Sequence, residues 1–225
     1  MAYHQLTQVP PPESAAVQPI LIEYKPIDHI NVVINHLHPF AVGQSLSAGK
    51  SLMLSNGQTR FCCLLTDGHA SIRRITDKLT VSHVTAPMVI GIAELLFPQQ
   101  MHFIQAKTDI EFALIPENIV LNCLTENNLW CHLTYIQAYI IQGLAMRDAL
   151  LTGRTTYEII RNQLQMLINE PPFIRNTTSA SCYILERTQL SRSGIMKVLS
   201  QLRQGNYIVM EKGILNSINH LPVKY

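Results

Sequence analysis

Charge is scarce in this sequence: only 14% of its 225 residues are Asp, Glu, Lys or Arg. That scarcity raises the question of a membrane span, yet no long apolar run exists. The most apolar stretch, "YIQAYIIQGLAM", is broken by glutamines and followed by Arg147 and Asp148, too short and too polar to cross a bilayer. The first residues, "MAYHQLTQVPPPESAAVQP", have neither a basic segment nor an apolar one, so no secretory signal is read and a cytoplasmic protein is expected. The five cysteines, at 62, 63, 123, 131 and 182, are odd in number and form no CxxC pair. Such spacing argues against a disulfide scaffold and a structural zinc site, leaving reduced thiols and no metal. G-x-S-x-G, P-loop and HExxH patterns are also missing, as is any spaced nucleophile and base, so an enzyme is not expected and no catalytic residue is named.

What the chain does have is apolar material, 47% of residues, enough for one large or two small cores. Disorder of the whole chain is thereby excluded. Its charge is also uneven. Residues 172–225 hold seven Lys or Arg against two acids, a net +5, and residues 1–171 hold ten against thirteen, a net −3. A basic C-terminal part points to a polyanionic partner there.

Four regions follow along the chain. Pro10 to Pro12 mark residues 1–19 as a flexible lead-in. From 20 to 116 come short β runs between turn residues: "ILIEY", "INVVI", "SLMLSNGQTRFCCLL", "TDGHASIRRI", "KLTVSHV", "PMVIGI", "MHFIQA" and "DIEFALI". Asp67-Gly68 is read as a two-residue hairpin turn and Asn56-Gly57 as a second. Many short strands at near-regular spacing predict an antiparallel barrel or sandwich. From 117 to 153 the pattern turns helical: "ENIVLNCLTENN", then a long run from Leu129 to about Leu151. There Leu129, Leu133, Ile136, Ile140, Gly143, Arg147 and Leu150 recur at alternating steps of three and four, a stripe that predicts a homodimer through this helix. Packing of the same stripe on its own barrel is the competing reading.

Residues 154–225 read as a winged helix-turn-helix. An amphipathic helix carries Ile159, Ile160, Leu164, Leu167 and Ile168, and Pro171-Pro172 stops it. Ile184 and Leu185 belong to a short helix, Ser191 caps the next, and Ile195, Val198, Leu199 and Leu202 form that helix's buried side. Gly205 ends it, and "NYIVMEKGILNSI" makes two strands around Glu211-Lys212-Gly213. This architecture places its second helix in the major groove of double-stranded DNA. Ser191, Arg192, Ser193, Lys197 and Gln201 are left facing outward as the candidate DNA-binding residues, since Arg and Lys donate to guanine or phosphate and Ser to either.

Barrel, long helix and winged domain, in that order over residues 20–220, resemble the catabolite-activator and fumarate-nitrate-reductase (Crp/Fnr) superfamily of bacterial transcription regulators. "CCLLTDGHASI" looks like the family's strand, glycine turn and strand; "GIAELLF" looks like its Gly-Glu-Leu cassette; "FIQAKTDIEFALIP" is similar to its closing strand pair. "LSRSGIMKVLSQLRQGNYI" looks like its recognition helix and lead into the wing. Among its branches, the chain looks most like small enterobacterial regulators of the IprA/YaiV type. The resemblance implies an α+β protein: a cyclic-nucleotide-binding-like β barrel (a double-stranded β-helix), a dimerisation helix and a C-terminal winged helix-turn-helix. It also implies contact with RNA polymerase or another protein as a further candidate partnership.

Departures from the family matter as much. Its nucleotide-binding members follow the cassette with an Arg-Ser or Arg-Thr pair that holds a cyclic phosphate; the matching positions here are Gln100 and Met101. Gly91, Glu94, Gln100 and Met101 therefore read as a degenerate ligand pocket, with Met101 and Phe103 filling it and no response to cyclic nucleotides. Residues 1–61 lack the cysteines of iron-sulfur members. His36, His38, His69, His83 and Cys62 could supply a haem ligand, and His36 and His38 would share a strand face, yet no cofactor is expected. The family's recognition helix has Arg, Glu and Arg where Arg192, Ser193 and Lys197 stand, so the sequence read must differ. Gly194 inside that helix costs about 1 kcal/mol against Ala. The alternative function is a degenerate regulator that acts as a protein-interaction or redox-sensing module.

Overall fold

The computed structural model describes residues 24–97 and 99–222. The expected lead-in, and all but the last residue of "ILIEY", lie outside the described residues. The first element is a helix, α1 (Ile27–Leu37), and it contains the expected strand "INVVI". β-branched residues favour strands, but Ile30, Val33, Ile34 and Leu37 repeat at helical steps and are all buried on one face. The periodicity, not the composition, decides the element. His36 lies in α1 and His38 in the single turn after it. Two residues apart on helical backbone, they diverge rather than share a strand face as expected.

Eight strands follow: β1 (Gly43–Leu46), β2 (Ser51–Leu52), β3 (Phe61–Asp67), β4 (His69–Arg74), β5 (Thr80–Thr85), β6 (Met88–Ile90), β7 (His102–Ala106) and β8 (Ile110–Pro116). They form two antiparallel four-stranded sheets, ordered β1-β8-β3-β6 and β2-β7-β4-β5, a jelly-roll barrel. Leu64 pairs with Ala113 and Val89 in the first sheet, and Ile72 with Ile104 in the second. Leu64, Leu65, Ile104, Ile110 and Ile115 are fully buried among their neighbours in this core.

Asp67-Gly68 is not the hairpin turn the sequence suggested. β3 and β4 are separated by Gly68 alone and enter different sheets. Gly68 has φ +82, and a Cβ there would collide with the carbonyl oxygen of Asp109, so glycine permits an abrupt crossover rather than a paired turn. Asn56-Gly57 does reverse the chain: Asn56 Oδ1 accepts the Gln58 and Thr59 N–H groups at 3.0 and 2.8 Å.

A short helix, α2 (Ile92–Leu96), lies between β6 and β7. After β8 come α3 (Glu117–Glu126) and α4 (Trp130–Leu151), the longest helix, against which α1 packs. The second core is formed by α5 (Thr156–Asn169), α6 (Pro172–Arg175), α7 (Ala180–Arg187), α8 (Arg192–Gln204) and the pair β9 (Ile208–Glu211) and β10 (Ile214–Ile218). α4 is apolar on two sides. Leu133, Ile136 and Leu150 are buried within the protomer, at 4%, 0% and 0% exposure, and Ile140 and Gly143 are half-buried. Tyr135, Ile141 and Leu144, by contrast, are 52%, 62% and 45% exposed. Of the seven residues named for a dimer seam, Leu129, Leu133, Ile136 and Leu150 are thus buried within the chain's own fold, and a neighbouring stripe is the one left open.

Candidate nucleic-acid interface

Local chemistry sets each segment of the winged domain. α5 begins with a capping box: Thr155 Oγ1 accepts the Glu158 N–H at 3.2 Å, and Glu158 Oε2 accepts the Thr155 N–H at 2.8 Å. Ser179 Oγ caps α7 by accepting the Cys182 N–H at 3.2 Å. Ser191 Oγ caps α8 by accepting the Gly194 N–H at 3.1 Å. A Cβ on Gly194 would stand 3.1 Å from that hydroxyl, a close contact with the end of a side chain. Between the helices, Thr188 is buried and its hydroxyl donates to Ile184 O at 2.8 Å, closing a tight turn.

α8 buries Ile195, Leu199 and Leu202 against this core. Its opposite side presents Arg192, Ser193, Lys197 and Gln201, all exposed, together with the cap residue Ser191. The structure thus brings the five candidate DNA-binding residues onto one open surface. Ser191 differs in role, because its oxygen is engaged as a cap and lies 3.2 Å from Ser193 Oγ. Met196 on the same surface is 51% exposed and was not singled out from the sequence; an apolar group there can meet a thymine methyl.

The wing closes through Lys212 and Gly213, with φ of 48° and 88°. Two successive positive values give the turn whose twist matches a two-stranded ribbon. Its tip is fastened to the start of α7, where Ala180 N donates to Gly213 O at 2.9 Å. Lys212 is exposed at that tip, a cation that the sequence placed only within the wing.

The barrel's candidate pocket has a different character. Gly91 starts α2 with φ +95, and a Cβ there would press on Leu54 Cδ1 at 2.7 Å. The Glu94 carboxylate meets His102 Nδ1 at 3.2 Å. That hydrogen bond holds Glu94 below the usual carboxylate range, against burial that pushes it up. Gln100 Nε2 donates to His102 O at 3.4 Å. Met101 is 56% exposed and does not fill the barrel as expected.

Cys62 and Cys63 are both fully buried, and burial pushes the Cys62 thiol well up and the Cys63 thiol to about 12. Cys123 is buried, and Cys131 and Cys182 are exposed. Burial and the nearby Glu186 carboxylate raise the Cys182 thiol, which favours its protonated, less nucleophilic form. Among the described residues, no three or more His, Cys, Asp or Glu side chains converge as metal ligands, and no helix is long and apolar enough to cross a membrane.

Residues 156–223 match a winged helix-turn-helix DNA-binding family. The chain is 32% identical over 172 residues to the inhibitor of hydrogen peroxide resistance of Escherichia coli strain K12, covering 72% of this chain and 78% of that protein. It is 33% identical over the same length to the Salmonella typhimurium protein of that name, with the same coverage. In fold it is similar to the c-di-GMP-responsive global regulator CLP of Xanthomonas campestris, with a TM-score of 0.69 at 12% identity over 85% of this chain and 100% of that one. A regulator of the Crp/Fnr family from Eubacterium rectale superposes with a TM-score of 0.67 at 12% identity, covering 84% and 90% of the two chains.

Proposed function

We infer that this chain, which belongs to the family of the enterobacterial inhibitor of hydrogen peroxide resistance and has the Crp/Fnr fold, reads a two-fold symmetric DNA site as a homodimer. Family and fold are those of a DNA-binding transcription regulator, not of an enzyme. The observation that carries the reading is the open face of α8, where Arg192, Ser193, Lys197 and Gln201 stand together, with Lys212 exposed at the wing tip. Four donors and no carboxylate on that face fit phosphate and the acceptor-rich edge of guanine. Dimerisation is assigned to the outer stripe of α4, through Tyr135, Ala138, Ile141 and Leu144, because these apolar residues stay exposed among the described residues, Tyr135 keeping one face against the His29 ring. The named relatives point to genes of peroxide defence as the regulated set, and such work is done in the cytoplasm. Cyclic nucleotides are not the effector, since neither Gln100 nor Met101 offers a charge to a phosphate.

The test is selection of bound fragments from a random DNA pool at near-physiological salt, with wild type beside Arg192→Ala/Lys197→Ala. Enrichment of a palindrome by wild type, lost in the double variant, is the expected result. If wild type enriches nothing, the winged domain is one in shape only and protein partners take precedence. Lys212→Asn, which keeps the left-handed turn conformation, should weaken all sequences evenly and lower the salt slope by about 1.

A further inference from the structure

One link between the winged domain and the barrel is made at a single buried carboxylate oxygen. Glu170 ends α5, and its side chain is 13% exposed. Its Oε1 accepts from Tyr183 OH of α7 at 2.6 Å and from His83 Nδ1 of β5 at 3.1 Å, with Arg187 Nη1 at 3.9 Å. Arg187 Cζ lies 4.8 Å over the Tyr183 ring, and its Nε donates to Gln163 Oε1 at 3.1 Å. A carboxylate is badly placed here on general grounds. It is desolvated, and it sits at the C-terminal end of a helix, where the backbone dipole disfavours negative charge. Its cost is offset only when donors surround it, and one of those donors, His83, belongs to the barrel.

We propose that Glu170 is a positioning residue for DNA reading: through His83 it clamps the winged domain to the barrel and so fixes the direction of α8 relative to α4. The proposal rests on the DNA-reading role inferred above. Without the clamp, the path from α4 to α5 runs through Gly153, at φ +67, where even an added Cβ would meet nothing within 4 Å. That glycine leaves the backbone free to turn, restrained there by the Asn162 bond to Leu150 O. Besides a buried bond between α5 and α4, where Asn162 Nδ2 donates to Leu150 O at 3.0 Å, the remaining cross-links are part-exposed: Lys107 Nζ to Glu186 Oε2 at 3.3 Å, Arg147 Nη2 to Arg187 O at 3.4 Å, and the His69 ring stacked on Phe173 at 3.7 Å. A cavity of about 40 Å³ lined by His83, Lys107, Phe173, Tyr183 and Glu186 lies among them, so this joint is not tightly packed. Polar interfaces of this kind permit domain motion.

A dimer must present its two recognition helices one helical turn of DNA apart. A fixed α8 therefore favours two-half-site DNA over a single half-site, because loosening the domain adds an ordering cost to the second engagement.

His83→Ala and Glu170→Ala are compared with wild type in the full-length dimer, on the two-half-site duplex that wild type selects and on one half-site of it. Free protein is also labelled at Lys50→Cys and Asn216→Cys in a Cys131→Ser/Cys182→Ser background, and the distance distribution between labels is measured by electron spin resonance. Both variants should lose tenfold or more on the full site, stay within twofold on the half-site, and broaden the distance distribution. Glu170→Gln, which keeps an acceptor, should fall between. An unchanged full-to-half ratio with a narrow distribution in folded His83→Ala would overturn the clamp. Equal loss on both duplexes would also overturn it, since that marks damage to the reading surface. Should wild type select no DNA, the DNA-reading role fails, and a distribution narrow only in wild type still supports the clamp.

Discussion

His102 Nδ1 stands 3.2 Å from Glu94 Oε1, so the carboxylate of the α2 cassette is satisfied inside the protein. A cyclic nucleotide would need that carboxylate free for its ribose and a cation for its phosphate. The first is engaged and the second is absent, since Gln100 turns to a backbone carbonyl and Met101 to solvent. Cyclic AMP at about 100 μM should leave the thermal midpoint unchanged within about 1 °C, because a ligand that does not bind the native state adds no stability. A rise of several degrees in a dye-based melt would contradict this.

The two sides of α4 respond differently to substitution. Ile136 is fully buried in the protomer, so Ile136→Ala should cost about 2–5 kcal/mol of stability without a direct effect on assembly. Ile141 is 62% exposed, so Ile141→Asp should leave the fold intact and shift sedimentation toward monomer at micromolar concentration. A dimer undisturbed by Ile141→Asp would move the seam off this stripe.

Thiol chemistry separates the cysteines by burial. Cys131 and Cys182 are exposed, whereas Cys62, Cys63 and Cys123 are buried with raised pKa values. A thiol reagent should titrate two groups in the native protein and five after denaturation. Peroxide sensing through Cys62 or Cys63 would require those thiols to react natively, and rapid native labelling of three or more would show it.

Most of the winged domain was legible because its signals are local. A Ser cap, a stripe from Ile195 to Leu202 and a Lys-Gly turn each act within a few residues, and each is where the sequence placed it. The barrel strands were legible for the same reason, but the partners were not. Asp67-Gly68 looks the same whether the next strand folds back or crosses to the other sheet, since the choice is made by contacts with β7 and β8. α1 was misread because "INVVI" has strand composition on helical spacing. On α4 the apolar stripe was real, yet a helix apolar on two sides cannot say which side meets its own core. The Glu170 clamp left no trace in the sequence: His83 is 87 residues away, and no spacing rule links them.

That clamp gives stability a defined dependence on acid. Burial is the largest influence on His83 and carries its pKa below 6.5, with the Arg187 and Lys107 charges adding to it and the Glu170 hydrogen bond opposing. Burial pushes Glu170 up, but the bond and charge of His83, the Tyr183 hydroxyl and Arg187 together bring it below 4.5. At neutral pH the pair is thus a neutral imidazole donating from Nδ1 to an ionised carboxylate. The unfolded chain protonates His83 at about 6.5 while the folded chain resists, so its contribution is whole above that pH and is lost as pH falls through 6.5 toward the lower folded value. Glu170 adds a second loss that begins only below about 4.5. Thermal midpoints should therefore fall between pH 7 and pH 5.5 in wild type and fall less in His83→Gln, which keeps a donor but cannot titrate. Equal slopes in the two proteins would mean that other histidines, such as His69, whose burial also lowers its pKa, set the acid response.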